Sequence, residues 1–177
     1  MKYLVTAMLL VLAWSGSVFA KTLIVDNDNG SLLFSGEHAG MAFEGRFNQW
    51  RAKLILPPAA SPEIEASFSL SSAETGDSMY DETLPEADWF DVENFPQAVF
   101  SSRSIVAVGG GFKVSGELSL KGVSNSVEFL LENSETGYTA NFAIDRIAYG
   151  IGVESDPEAE WVSQFIELRL VIPSSID

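Results

Sequence analysis

From Lys21 onward, apolar residues recur at every second position, and this restricts the chain to extended strands that lay one face on a core. Successive side chains of a strand point to opposite faces, so each alternating run defines a buried side and a wet side. The plainest run covers 112–121. Phe112, Val114, Gly116, Leu118 and Leu120 fall on one face, with Lys113, Ser115, Glu117, Ser119 and Lys121 on the other. The same parity groups Leu32 with Phe34, then Met41, Phe43, Gly45 and Phe47, then Trp50, Ala52, Leu54 and Leu56. It returns in Ile64, Ala66, Phe68 and Leu70, and in Phe100, Ser102, Ser104, Val106 and Val108. Val127, Phe129 and Leu131 form a further set. Tyr138, Ala140, Phe142, Ile144 and Arg146 form the next, and Ile166, Leu168, Leu170 and Ile172 the last.

The punctuation between runs predicts antiparallel hairpins: a tight turn at Asn29-Gly30, a looser one at Gly109-Gly110-Gly111 and a third at Glu135-Thr136-Gly137. Between 71 and 96 the period of two stops. Within that excursion, residues 84–90 predict a short helix with Pro85 at its first position and acids in its first turn. About eight strands with one long crossing segment predict an all-β fold, a closed antiparallel barrel of up-and-down type that hides its edges. A two-sheet sandwich is the alternative.

The first twenty residues read as an export signal. Lys2 gives a positive start, residues 4–14 are nearly all apolar, and Val18-Phe19-Ala20 ends in the small-x-small pattern. The apolar run is shorter than the roughly 20 residues a spanning helix needs. The expected division is therefore 1–20 signal peptide, cleaved after Ala20, and 21–177 one domain in an exported, water-filled compartment. Asp plus Glu number 25 against 10 for Lys plus Arg, and a surface so acidic repels phosphate backbones and anionic headgroups. Nucleic acid is excluded as a partner. A homodimer and a transient membrane contact stay open. With no cysteine and one histidine, thiolate chemistry and multi-histidine metal sites are excluded too.

A barrel of about eight strands encloses space for packed side chains or one small ligand. By parity, Phe34, Phe43, Phe47, Trp50, Phe68, Phe100, Val114, Phe142 and Ile144 line one tube, with Trp89 and Phe90 able to cover an end. These residues either fill a core or hold an apolar chain. Arg146 shares the face of Phe142 and Ile144, where an arginine is costly unless paired or at a wet mouth. It reads either as a contact for a ligand head group or as a structural ion pair with one of the central acids.

Several ordered motifs resemble the YceI-like family. Phe43-Glu44-Gly45-Arg46-Phe47 is similar to its early strand, and Thr75-Gly76-Asp77 with Asp81, Leu84 and Asp88-Trp89-Phe90-Asp91 to its central motif. Phe95-Pro96 with Phe100-Ser101-Ser102, residues 116–123, and Asp145-Arg146 with Gly150 complete the likeness. The resemblance implies a lipocalin-like, polyisoprenoid-binding barrel of the bacterial periplasm. It would be a carrier without resident cofactor, holding an isoprenoid lipid such as a quinone or a polyprenyl phosphate.

Rival classes find less support. His38 lies in a Ser-Gly-Glu-His-Ala-Gly loop with no Gly-x-Ser-x-Gly in the chain, and a catalytic base needs a nucleophile and an orienting acid. The carboxylates between Asp77 and Glu93 read as solvated charge rather than as a glycosidase pair. Asp26-Asn27-Asp28-Asn29-Gly30 fails as a calcium loop, since aligning Gly30 with the loop glycine places Val25 at the first ligand position. Glu154, Asp156, Glu158 and Glu160 read as a solvated loop. No catalytic or metal residue is expected. The main alternative to a carrier is an interaction module with a filled lumen.

Overall fold

The computed structural model describes residues 22–174, so the candidate signal at 1–20 lies outside the described residues. The alternating runs become strands: β1 (Thr22–Asp26), β2 (Ser31–His38), β3 (Met41–Phe47), β4 (Trp50–Ile55), β5 (Glu63–Ser69), β6 (Ala73–Glu74), β7 (Gln97–Val108), β8 (Gly111–Leu120), β9 (Val123–Ser134), β10 (Gly137–Asp145) and β11 (Phe165–Pro173). All pair antiparallel in one 11-stranded sheet, ordered β1-β4-β5-β7-β8-β9-β10-β11-β2-β3-β6. Eleven strands thus stand where about eight were expected. One continuous sheet also sets aside the sandwich.

The sheet is strongly curled. A single interior cavity touches side chains from nine strands, among them Leu32 of β2, Ile64 of β5, Phe129 of β9 and Leu168 of β11. No flat sheet brings those together. The core is the set of inward positions: Trp50, Ala52 and Leu54 of β4, Val114 and Leu118 of β8, and Leu131 of β9 are all buried.

Two inward glycines make room for aromatic rings. A Cβ at Gly45 would fall 2.2 Å from Phe34 Cζ, and one at Gly116 would fall 2.5 Å from both Phe100 Cζ and the Ser101 carbonyl oxygen. Phe34 can turn away, but the Ser101 backbone cannot. Gly116→Ala is therefore expected to destabilise the fold by roughly 1–3 kcal/mol through overpacking, read as a lower midpoint in a thermal melt. An unchanged midpoint would contradict this packing.

Four expectations need correction. The β7 parity breaks at a bulge between Ser102 and Ser104, after which Ile105, not Val106, pairs with Val114 on the inward face. One extra residue moves the rest of a strand to the other face, which leaves Val106 53% exposed. The Asn29-Gly30 turn joins no hairpin, because β1 pairs with β4 and β2 with β3. The glycine turn is tight rather than loose, since Val108 pairs with Gly111 and only Gly109 and Gly110 bridge them. The short helix α1 is Ser78–Thr83, upstream of the expected 84–90. Asp77 caps it by accepting the Met79 amide at 2.9 Å, and Pro85, following the C-cap Leu84, ends it instead of starting it.

Candidate functional site

Three cavities follow one another through the interior. The first, about 180 Å³, lies between α1 and the curled sheet and is bounded by Phe34, His38, Phe43, Tyr80, Trp89 and Val162 among others. Met79, 69% exposed, forms part of its rim, so this cavity reaches solvent. The second, about 80 Å³, shares Phe34, Phe43, Leu84, Trp89 and Val162 with the first and extends inward to Phe90, Ile144, Ile151 and Arg146. The third, about 70 Å³, shares Phe47, Phe68, Leu118 and Leu168 with the second and ends among Trp50, Leu54 and Leu131. The inner walls are almost wholly apolar. Each cavity is smaller than the roughly 300–1,000 Å³ of a typical ligand pocket. The interior thus holds a file of three neighbouring cavities that share walls. Phe47 and Phe68, with centroids 5.3 Å apart, border both inner cavities.

Of the residues expected to line the interior, Phe34, Phe43 and Trp89 border the first two chambers, and Phe47 and Phe68 the inner two. Phe90, Ile144 and Arg146 border the second, and Trp50, Phe100 and Phe142 the third. Val114 borders none of the three. It is fully buried in the wall, between Ile105 and Phe129 on the neighbouring strands. Trp89 and Phe90 come from the long central segment, and Phe90 packs against Phe47 with centroids 6.3 Å apart.

Arg146 is committed to structure. β10 ends at Asp145, and Arg146 turns into a 3-10 turn, Ile147–Tyr149. Its Nη2 meets Asp156 Oδ2 at 2.6 Å and the Val162 carbonyl at 2.9 Å. Nη1 donates to the Ile151 carbonyl at 2.8 Å and Nε to the Ser163 carbonyl at 3.1 Å. Trp89 lies 5.8 Å from its guanidinium carbon. Its partner is not a central acid but Asp156, which was expected in a solvated loop and is only 5% exposed. A carboxylate stays charged there because amides of Glu160, Trp161 and Val162 also donate to it. Asp88 ties the central segment to the same connector. Its carboxylate accepts the Glu154 and Ser155 amides, and its carbonyl accepts Lys121 Nζ and the Gly152 amide.

The outer end of the file is built differently. Tyr80 on α1 reaches His38 at the end of β2, with Oη and Nδ1 2.7 Å apart. Their rings meet edge to face at 5.3 Å. Asp81 accepts the Thr75 amide at 2.6 Å, the Thr75 hydroxyl at 2.7 Å and the Gly76 amide at 3.3 Å. The Thr75 amide bond leads in holding the Asp81 carboxyl below its ordinary range; burial opposes it, and the Thr75 hydroxyl and Gly76 amide add to the lowering. Sequence reasoning passed over Tyr80, Leu118 and Leu168 as site residues. The two leucines stood in the inward sets, and parity alone could have added them. Tyr80 had no periodic signal.

A family model for the YceI-like domain matches residues 24–173. A UPF0312 protein of Shewanella denitrificans is 30% identical over 117 residues, which is 63% of this chain. The match spans 61% of that relative's length. Among solved structures, BcnA of Burkholderia cenocepacia superposes with a TM-score of 0.75 at 24% identity, over 85% of this chain and 99% of that one. A structure described as a polyisoprenoid binding domain from Saccharophagus degradans, implicated in plant cell wall breakdown, superposes with a TM-score of 0.64 at 16% identity. It covers 87% of this chain and 97% of its own. At these identities the two structures establish likeness of fold.

Proposed function

The chain belongs to the YceI-like family, and from that premise we propose that it is a binding and carrier protein that holds the apolar chain of an isoprenoid or similar amphiphile inside its barrel. The observation that carries this reading is the file of three apolar cavities, consecutive through shared walls and reaching solvent beneath α1. Removing apolar surface from water gains about 25 cal/mol per Å², which favours a chain threading past the rings over an empty file. The name of the Saccharophagus degradans domain points to the same ligand class. Binding rather than catalysis is supported at His38, whose Nδ1 meets a tyrosine and not an orienting carboxylate.

We read the sheet as a closed barrel of eight long runs. β1 with β2, β3 with β4, and β5 with β6 each make one bent run: β1 and β2 pair along β4 and β3, while β5 and β6 pair along the same two strands from the other side. The β11–β2 pairing then joins the two ends of the ring. We place the protein in the periplasm, delivered there by the segment 1–20.

The test is native mass spectrometry of protein purified from its own periplasm, followed by extraction and identification of lipid. One apolar chain per protomer is expected. Empty protein at every preparation would favour the interaction module, and turnover of an extracted lipid would favour an enzyme. N-terminal sequencing of the exported chain should start at Lys21. A chain that keeps Met1 in the cytoplasm refutes the placement.

A further inference from the structure

Arg146 has little to offer a ligand, because four of its five N–H groups already donate to Asp156 and to the carbonyls of Ile151, Val162 and Ser163, and the Asp156 carboxylate balances its charge. Apart from the Trp50 indole N–H, a lone donor without a partner at the inner end, the polar side chains that remain on the file of cavities lie at its outer end: His38, Tyr80, Thr75 and Thr83. Thr83 donates to the Met79 carbonyl within α1 and Thr75 to Asp81. The His38–Tyr80 pair is different. If the phenol donates to Nδ1, the imidazole keeps a free Nε2–H and the phenol oxygen keeps its lone pairs; if Nδ1–H donates, the phenol hydrogen is free and Nε2 accepts. In either tautomer the pair offers one donor and one acceptor, and Nε2 has no protein partner among the described residues.

The same end of the cavity is hostile to anions. Among the described residues, no lysine or arginine borders the first cavity. The backbone amides of Thr75 and Gly76 could cradle an anion, yet the Asp81 carboxylate already occupies them. The Met79 amide in the first turn of α1 is likewise spent on the Asp77 carboxylate. A phosphate placed here would have acidic neighbours and no lysine or arginine on the cavity wall.

We propose that the His38–Tyr80 pair is the head-group site of the bound chain and that it takes an uncharged oxygen head, an alcohol or a carbonyl, in preference to a phosphate. This rests on the carrier reading above and narrows its ligand class. Lipid-stripped full protein is titrated with geranylgeraniol and with geranylgeranyl monophosphate, which share one chain and differ only in the head. Binding is followed by tryptophan fluorescence, since Trp89 borders the cavity. The alcohol is expected to bind tighter by roughly a hundredfold, the penalty for seating an unpaired charge. Tyr80→Phe and His38→Leu are each expected to weaken the alcohol roughly fivefold to tenfold, the share of one neutral hydrogen bond, with phosphate affinity unmoved and the fold intact by circular dichroism. Equal binding of the two probes, or alcohol binding untouched in both variants, overturns the head site while leaving the carrier reading in place. Binding of neither probe to the parent protein overturns both.

Discussion

Replacing Arg146 with methionine lowers the midpoint of thermal unfolding by roughly 10 °C, because breaking a buried pair costs about 3–5 kcal/mol and each kcal/mol moves a domain of this size by about 2–4 °C. The stranded group is Asp156, whose own three amide donors do not neutralise it. Burial opposes the Asp156 charge, but the amides of Val162, Trp161 and Glu160 and the Arg146 guanidinium prevail and hold its carboxyl below the usual range. Asp88 is lowered in the same way: burial opposes, while the Ser155 hydroxyl and the Glu154 and Ser155 amides prevail. A carboxyl lowered in the folded state stabilises the fold fully above its unfolded value, about 3.9 for aspartate, and that stabilisation is lost as pH falls through the lower folded value. The parent therefore weakens from about pH 4 downward. The Arg146→Met protein, lacking the cation, loses less over that interval, so the two melting curves converge in acid. Arg146→Met with Asp156→Leu should recover only the part of the loss due to the stranded charge, because the amides of Glu160, Trp161 and Val162 and the carbonyls of Ile151, Val162 and Ser163 then lack their side-chain partners. A neutral-pH midpoint equal to the parent's, or a gap that does not narrow in acid, would mean that the pair contributes nothing to the fold.

If the carrier reading holds, Leu168→Trp should empty the interior of lipid without unfolding the protein. Leu168 borders both inner chambers and stands between Phe142 and Phe34 on the neighbouring strands. An indole there fills the passage between chambers at an overpacking cost of roughly 1–3 kcal/mol. A five-carbon unit kept out forfeits about 4 kcal/mol at ~0.8 kcal/mol per buried carbon, nearly a thousandfold in affinity. Lipid content after extraction is the readout, with circular dichroism confirming the fold. Lipid at one per protomer in the folded variant would show that the chain does not run past Leu168.

The parity of β4, β8, β9 and β11 was legible because a buried face tolerates few polar residues, and each of those strands keeps one register from end to end. β7 was not, because its bulge falls in a serine-arginine-serine stretch where no glycine or proline marks it. The inward positions were legible for the same reason as the strands, but parity cannot tell a cavity wall from a filled one, and Val114 stands inward without bordering any of the three cavities. Arg146 stood out as an inward cation. Its partner did not, since Asp156 sits among Glu154, Glu158 and Glu160 and nothing local distinguishes the one acid that folds inward. The His38–Tyr80 contact joins residues whose segments share no pattern, so it belongs to tertiary structure alone.

The pairing of β2 with β11 also sets a clock. Leu33 lies opposite Arg169 and Phe34 opposite Leu168, so residues from opposite ends of the described chain must find each other before that ladder exists. Local hairpins such as β7–β8 and β8–β9 form within microseconds, while pairings this remote in sequence carry the loop-closure entropy that makes β-rich domains fold in milliseconds to seconds. During synthesis the early strand β2 waits, with its β11 edge unsatisfied, until the last strand has emerged. Completion of the sheet is thus gated by the arrival of β11, whatever hairpins have formed before it.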